Sequence, residues 1–216
     1  MIASSWDTHG GELYRFERKS VEEPFALLGG PIPIVVGEKG MEWGIGIHES
    51  PSSEKMKREG DRRAPAGIFR LGQVFIDKRF IPSAVFKMPV ILVDEHCEAV
   101  DDPSSRFYNQ LVDTLSLEVK DWTSSEKMQR EDELYHLGLV IQHNPIPAIP
   151  GSGSCIFMHT WRGNEKGTYG CTALSPFHLL EILTWLDPAK SPLLVQLPWE
   201  EYLERSADWN LPFIEA

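Results

Sequence analysis

What the chain lacks narrows it first. Positive charge is short: 21 Lys and Arg stand against 32 Asp and Glu, a net charge of −11. No basic face for nucleic acid is expected from that balance. The basic run Lys55-Met56-Lys57-Arg58 is followed by Glu59 and Asp61, and reads as a solvated loop, not a phosphate site. No run of 18 apolar residues exists, which excludes a membrane-spanning helix. The first residues, MIASSWDTHGGELYRF, lack the basic region and apolar stretch of a secretory signal. The expectation is a cytoplasmic protein or one already parted from its leader. Cysteines number only three, so at most one disulfide can close within the chain and at least one thiol stays free. No Cys-x-x-Cys pair occurs and the histidines are scattered, so no zinc site is expected. No Gly/Ser linker divides the chain, and residues 1–216 are read as one domain.

What is present reads mostly as strand. Glu12–Arg18 alternates apolar and polar residues, and Ile32–Val36 and Trp43–Ile47 flank Gly37-Glu38-Lys39-Gly40, a hairpin signal. A polar segment, His48 to Arg63, leads through Pro65 and Gly67 into a strand at Ile68–Leu71. Pro89–Val93 reads as a short buried strand. SSRFYNQLVDTL and SSEKMQREDELYHLG read as helices opened by serine caps. Gly138–His143 and Cys155–His159 read as adjacent core strands. Ser175-Pro176 caps a helix that stops at Asp187-Pro188; PLLVQLP is a last strand and WEEYLERS a closing helix. Strands outnumber helices without regular alternation, so the expected class is mixed α/β, mainly β, with helices packed around a sheet core.

The chemistry concentrates in SCIFMHTWRGNEKGTYGCTALSP, Ser154 to Pro176. A thiol attacks as thiolate and needs a base or positive field to become one. Cys171 sits between Gly170 and the start of a helix, where consecutive backbone N–H groups can converge on a developing oxyanion. His159 ends an apolar strand, and the eleven residues between it and Cys171 suffice to bring the two together. Cys155 shares that strand with His159 but stands about 13 Å along it, at roughly 3.3 Å per residue, too far to be activated. A cysteine is also commonly a small core hydrophobe. On residue types alone, nucleophile and core thiol both stay open for Cys171.

The order strand, His159, loop, Thr168-Tyr169-Gly170-Cys171 resembles the YkuD-type L,D-transpeptidases, bacterial enzymes that remodel peptidoglycan. GDRRAPAGIFRLG is similar to that family's Thr-Pro-x-Gly-x-Phe segment, with Ala64 where threonine is common. VDDPSSRFYN, EKMQREDELY and GSGSCIFMHTW resemble a periplasmic subgroup from Gram-negative bacteria. The similarity runs from about Glu38 to Pro198. Three departures stand out: Tyr169 where histidine is frequent, Ala173 where many members carry arginine, and a short interval from histidine to cysteine.

The resemblance implies an L,D-transpeptidase-like core with peripheral helices and a cysteine-dependent acyl transfer. Cys171 attacks the carbonyl of the diamino acid in a stem tetrapeptide and expels the terminal D-alanine. His159 takes the thiol proton or forms a thiolate–imidazolium pair, its other nitrogen oriented by a backbone carbonyl. The N–H groups of Tyr169, Gly170 and Cys171 hold the oxyanion. Thr168 belongs to the same motif, Arg162 replaces the missing arginine, and His143 and Asn144 line the cleft. An unusually acidic thiol, open to acylation by a carbapenem, is implied as well. No metal or cofactor is required. The implied partners are peptidoglycan stem peptides, the location periplasmic and the protein a monomer. Cys97 and Cys155 are a possible disulfide in that compartment. Carboxypeptidase or endopeptidase action by the same pair, and a wall-binding module without turnover, are the rival readings.

Overall fold

The computed structural model describes residues 1–49 and 55–215, so residues 50–54 of the expected polar segment lie outside the described residues. The strands in order are β1 (Ile2–Ala3), β2 (Gly10–Leu13), β3 (Phe16–Glu17), β4 (Ala26–Leu27), β5 (Ile32–Val35), β6 (Met41–Trp43), β7 (Ala64–Asp77) and β8 (Val90–Val93). They continue with β9 (Cys97–Val100), β10 (Gln110–Asp113), β11 (Ser125–Lys127), β12 (Leu137–Ile141), β13 (Phe157–Thr160), β14 (Thr172–Leu174) and β15 (Leu193–Pro198). Two α-helices, α1 (Pro176–Trp185) and α2 (Trp199–Arg205), are described. The mainly β reading holds.

The large sheet runs β12-β13-β14-β5-β2-β1-β15-β7, and β12 pairs again with β7, so it closes on itself as a barrel. Closure removes the unpaired edges that an open sheet would present. The long β7 makes this possible by changing partners along its length: β6 at Ala64–Ala66, β15 at Gly67–Arg70, and β12 and β8 beyond. Gly67, at φ +140°, lets the strand turn at the changeover. Gly138 on β12 is equally constrained, because a Cβ there would stand 2.2 Å from the Phe75 ring.

The core is continuous from β5, β7 and β12 to α1. Ser175 caps α1 by accepting the His178 N–H, Pro176 opens it, and Leu179, Ile182 and Leu183 are buried against the barrel. Each such side chain contributes about 1.5–3 kcal/mol. A second cluster, with Phe75, Cys97, Ala99, Tyr135, Phe157 and Cys171, lies between the barrel and a three-stranded sheet, β10-β9-β11.

Several expectations are corrected. Both helices placed in the middle of the chain are absent: SSRFYNQLVDTL gives turns, β10 and a short 3₁₀ turn, and SSEKMQREDELYHLG gives β11 and turns. The turn at Gly37–Gly40 forms, with the Gly40 N–H donating to Gly37 O at 2.7 Å, but its flanks do not pair as a hairpin. Instead β5 joins β2 and β14, while β6 runs parallel to β7. β8 is an edge strand, with Val90 and Leu92 each 43% exposed, because β7 covers only one side of it.

Candidate active site

β13 and β14 lie side by side and parallel, with Met158 opposite Thr172 and His159 opposite Ala173. Residues in register point to the same face. Phe157, His159, Cys171 and Ala173 therefore share one face, and Met158 and Thr172 take the other. Cys171 stands beside Phe157, whose N–H donates to Sγ at 3.4 Å; the thiol donates to Cys155 O at 3.6 Å. His159 follows two residues along the neighbouring strand, roughly 8 Å away between Cα atoms by strand spacing. Its Nδ1 meets the Thr160 carbonyl at 2.7 Å. A carbonyl only accepts, so Nδ1 carries the proton and Nε2 is left with its lone pair.

Burial governs the charge state of both groups. It pushes the Cys171 thiol up to about 12, and the negative charge of Glu126 adds to the effect; the Phe157 N–H, Lys57 and the Tyr135 hydroxyl oppose it more weakly. It lowers His159 to about 4. The resting pair at neutral pH is thus a neutral thiol and a neutral imidazole, and not the acidic thiolate pair that the family resemblance implies. The physical reason is that Cys171 is 7% exposed, so a thiolate there would be stripped of water, with the Glu126 charge adding to the cost.

The turn before the thiol is held from within. Thr168 Oγ1 donates to Cys171 O at 2.6 Å and accepts the Gly170 N–H at 3.1 Å. Gly170 sits at φ +141°, and a Cβ there would lie 3.1 Å from Arg63 O and 3.4 Å from Lys57 Nζ. Tyr169 is 78% exposed, its ring facing the Arg62 guanidinium at 5.2 Å. Lys57 is not a solvated loop residue. It is buried, with Nζ donating to Asp61 Oδ1 at 2.8 Å and Arg63 O at 2.7 Å. An ammonium tolerates that depth because oxygens meet its protons, and it pins the 57–63 turn beneath Gly170.

The remaining sequence candidates are dispersed. Arg162 lies at the surface, its Nη2 bound to Asp132 Oδ2 at 2.5 Å, and Asp132 is shared with Arg130. His143 is buried between the Ile45 N–H, which donates to its Nδ1 at 3.1 Å, and Ser152 O, 2.9 Å from its Nε2. Asn144 is buried too, its amide closing the following loop through Ile149 and Gly153. Both side chains are thus committed to the 144–153 loop. Cys97 and Cys155 are free thiols, hydrogen-bonded to Asp94 and to Val100 O, so the suggested disulfide is not formed.

The model of the YkuD family, described as an L,D-transpeptidase catalytic domain, matches residues 28–195. The chain belongs to the YkuD family. No curated protein and no solved structure matches it. A YkuD domain carries L,D-transpeptidase-type activity on peptidoglycan, generally outside the cytoplasm. Both His159 and Cys171 fall inside the matched segment.

In this YkuD domain sequence reasoning passed over one residue packed in the thiol's cluster, Tyr135, and a second bonded to it, Glu126. Tyr135 sets its ring edge-on to His159, with centroids 5.1 Å apart, and packs in one cluster with Cys171 and Phe157. Its hydroxyl donates to Glu126 Oε2 at 2.5 Å. The signal available in the sequence was the alternation Ser125-Glu126-Lys127-Met128, which fits a strand as well as the serine-capped helix expected there.

Proposed function

We propose that the protein is a cysteine-dependent L,D-transpeptidase that acts on peptidoglycan stem peptides through a thioester, in the periplasm and as a monomer. The observation that carries this reading is the His159 tautomer: with Nδ1–H given to Thr160 O, Nε2 is a base on the same sheet face as Cys171. As the thiol attacks the diamino-acid carbonyl, its proton passes to Nε2 and the carbonyl oxygen becomes an oxyanion. The imidazolium then gives that proton to the departing amine of D-alanine, and the thioester remains. An amine from a second stem peptide attacks the thioester, His159 takes its extra proton, and the thiol is regenerated.

The Gly170 N–H is spent on Thr168 Oγ1, which narrows the oxyanion donors to the amides of Tyr169 and Cys171. A cavity of about 430 Å³ lined by Asp132, Leu134, Thr160 and Trp161 opens at the end of β13, beside the histidine and not around the thiol, and offers the distal part of a stem peptide room. Arg162, on the rim beside Asp132, is the group we assign to a substrate carboxylate. The test is product analysis after incubation with disaccharide-tetrapeptide. Cross-linked dimer is the expected product. Tripeptide alone would move the assignment to a carboxypeptidase, and unchanged substrate would contradict both.

A further inference from the structure

We propose that Glu126, acting through Tyr135, is a positioning residue that holds Cys171 in its unreactive thiol form in the free protein. The proposal rests on reading Cys171 as the nucleophile, but it is tested on the thiol itself, without turnover. The starting point is the alternation of the small sheet. Glu126 pairs with Ala99, so it shares the face of Cys97 and Ala99 that packs toward Cys171. Glu98 and Lys127 take the opposite face, where Glu98 is neutralised by Lys120 and Lys127 and bonded by Trp122 and Ser125. Glu126 makes no such ion pair among the described residues. Its hydrogen bond is the Tyr135 hydroxyl at 2.5 Å. Burial raises its carboxyl, with Asp101 and Glu59 pushing the same way and Arg130 and Tyr135 opposing.

Tyr135 is the link to the sulfur. Its ring is 6% exposed, wedged between Phe75, Phe157 and His159, and it packs in the same buried cluster as Cys171. A phenol has one proton to donate. While that proton is committed to Glu126 the phenol lowers the thiol less than the carboxylate raises it, because the carboxylate opposes a second negative charge nearby. Neutralising Glu126, by a proton or by an ammonium group, removes the repulsion and frees the phenol to turn to the sulfur. The charged and titratable groups facing Glu126 are Tyr135, Asp101, Arg130, Glu59, Cys155 and Cys171. Arg130 is already held by Asp132.

The experiment is the pH profile of alkylation by iodoacetamide, read at Cys171 by peptide mass so that Cys97 and Cys155 are counted apart. Glu126→Gln should move the profile to lower pH. If the profile moves down by about one pH unit, the rate at neutral pH rises about threefold, since the thiolate fraction gains about tenfold and nucleophilicity falls. In the Glu126→Gln/Tyr135→Phe double variant most of that gain should vanish. A merely structural carboxylate would leave the profile in place. Thermal unfolding checks each variant, and Glu126→Met serves if the glutamine variant does not fold. An unchanged profile, or one displaced to higher pH, overturns the proposal; a gain undiminished in the double variant overturns the route through Tyr135.

Discussion

In the proposed mechanism His159 and Cys171 divide the chemistry at the scale of single residues, and burial sets both against their charged forms. Because the imidazole is neutral and its Nδ1–H is fixed by a backbone carbonyl, no carboxylate is needed to choose the tautomer. His159→Ala should therefore lower the acylation rate on the order of 10²–10⁴-fold while the fold persists. Single-turnover acylation checks this, and a loss under tenfold would count against the base role. Gly170 is the other sensitive position. At φ +141°, with Arg63 O and Lys57 Nζ close by, Gly170→Ala should cost about 1–3 kcal/mol in urea unfolding. It should also impair acylation by displacing the Tyr169 and Cys171 amides. A variant as stable as the wild type would show that the turn is not strained.

At the scale of elements, the small β10-β9-β11 sheet is fastened to the barrel by side chains more than by strand pairing. Asn109 donates to His143 O at 3.0 Å and Asn144 O at 2.7 Å, and accepts the Cys155 N–H at 2.8 Å. It also holds φ +64°, which asparagine tolerates better than most residues. Asn109→Ala should cost about 2 kcal/mol or more, from three unpaired backbone groups and the backbone strain together. Equilibrium unfolding measures it; a change below about 0.5 kcal/mol would mean that water replaces the amide without penalty.

The same elements show what the sequence made legible. β5, β12, β13, β15, α1 and α2 announced themselves by apolar runs and by the Ser175-Pro176 cap. β11 did not, since its serines and charges suit a helix locally and only pairing with β9 decides for strand. The Gly37–Gly40 turn was readable, yet the partners of its flanks follow from barrel closure, which no local signal encodes. For the site, His159 and Cys171 stood out by residue type and spacing. Glu126 and Tyr135 were hidden because their link to Cys171 is made across elements. Lys57 was misread because a charged run gives no hint that one member turns inward onto Asp61.

For the molecule as a whole, buried ionisable groups set the response to pH. Both His143 and His159 are lowered by burial to about 4 from an ordinary 6.5. The unfolded chain therefore binds more protons between pH 6.5 and about 4, and stability falls as pH drops through that window, by about 3 kcal/mol at most for each histidine. Glu126, whose carboxyl is raised, holds its proton more firmly when folded and offsets part of the fall. Glu98, lowered to about 2, contributes its loss at more acidic pH, below its ordinary 4.5. The urea midpoint should decline from pH 6.5 to 4.5, and less steeply in His143→Gln. A midpoint that holds level or rises would contradict neutral buried imidazoles.

The central claim is that one thiol carries the acyl group. Intact-protein mass after incubation with disaccharide-tetrapeptide tests it most directly, for the wild type beside Cys171→Ala. The account predicts one adduct on the wild type, with D-alanine released, and none on the variant. An adduct that survives Cys171→Ala, or a wild type that forms none, would contradict it.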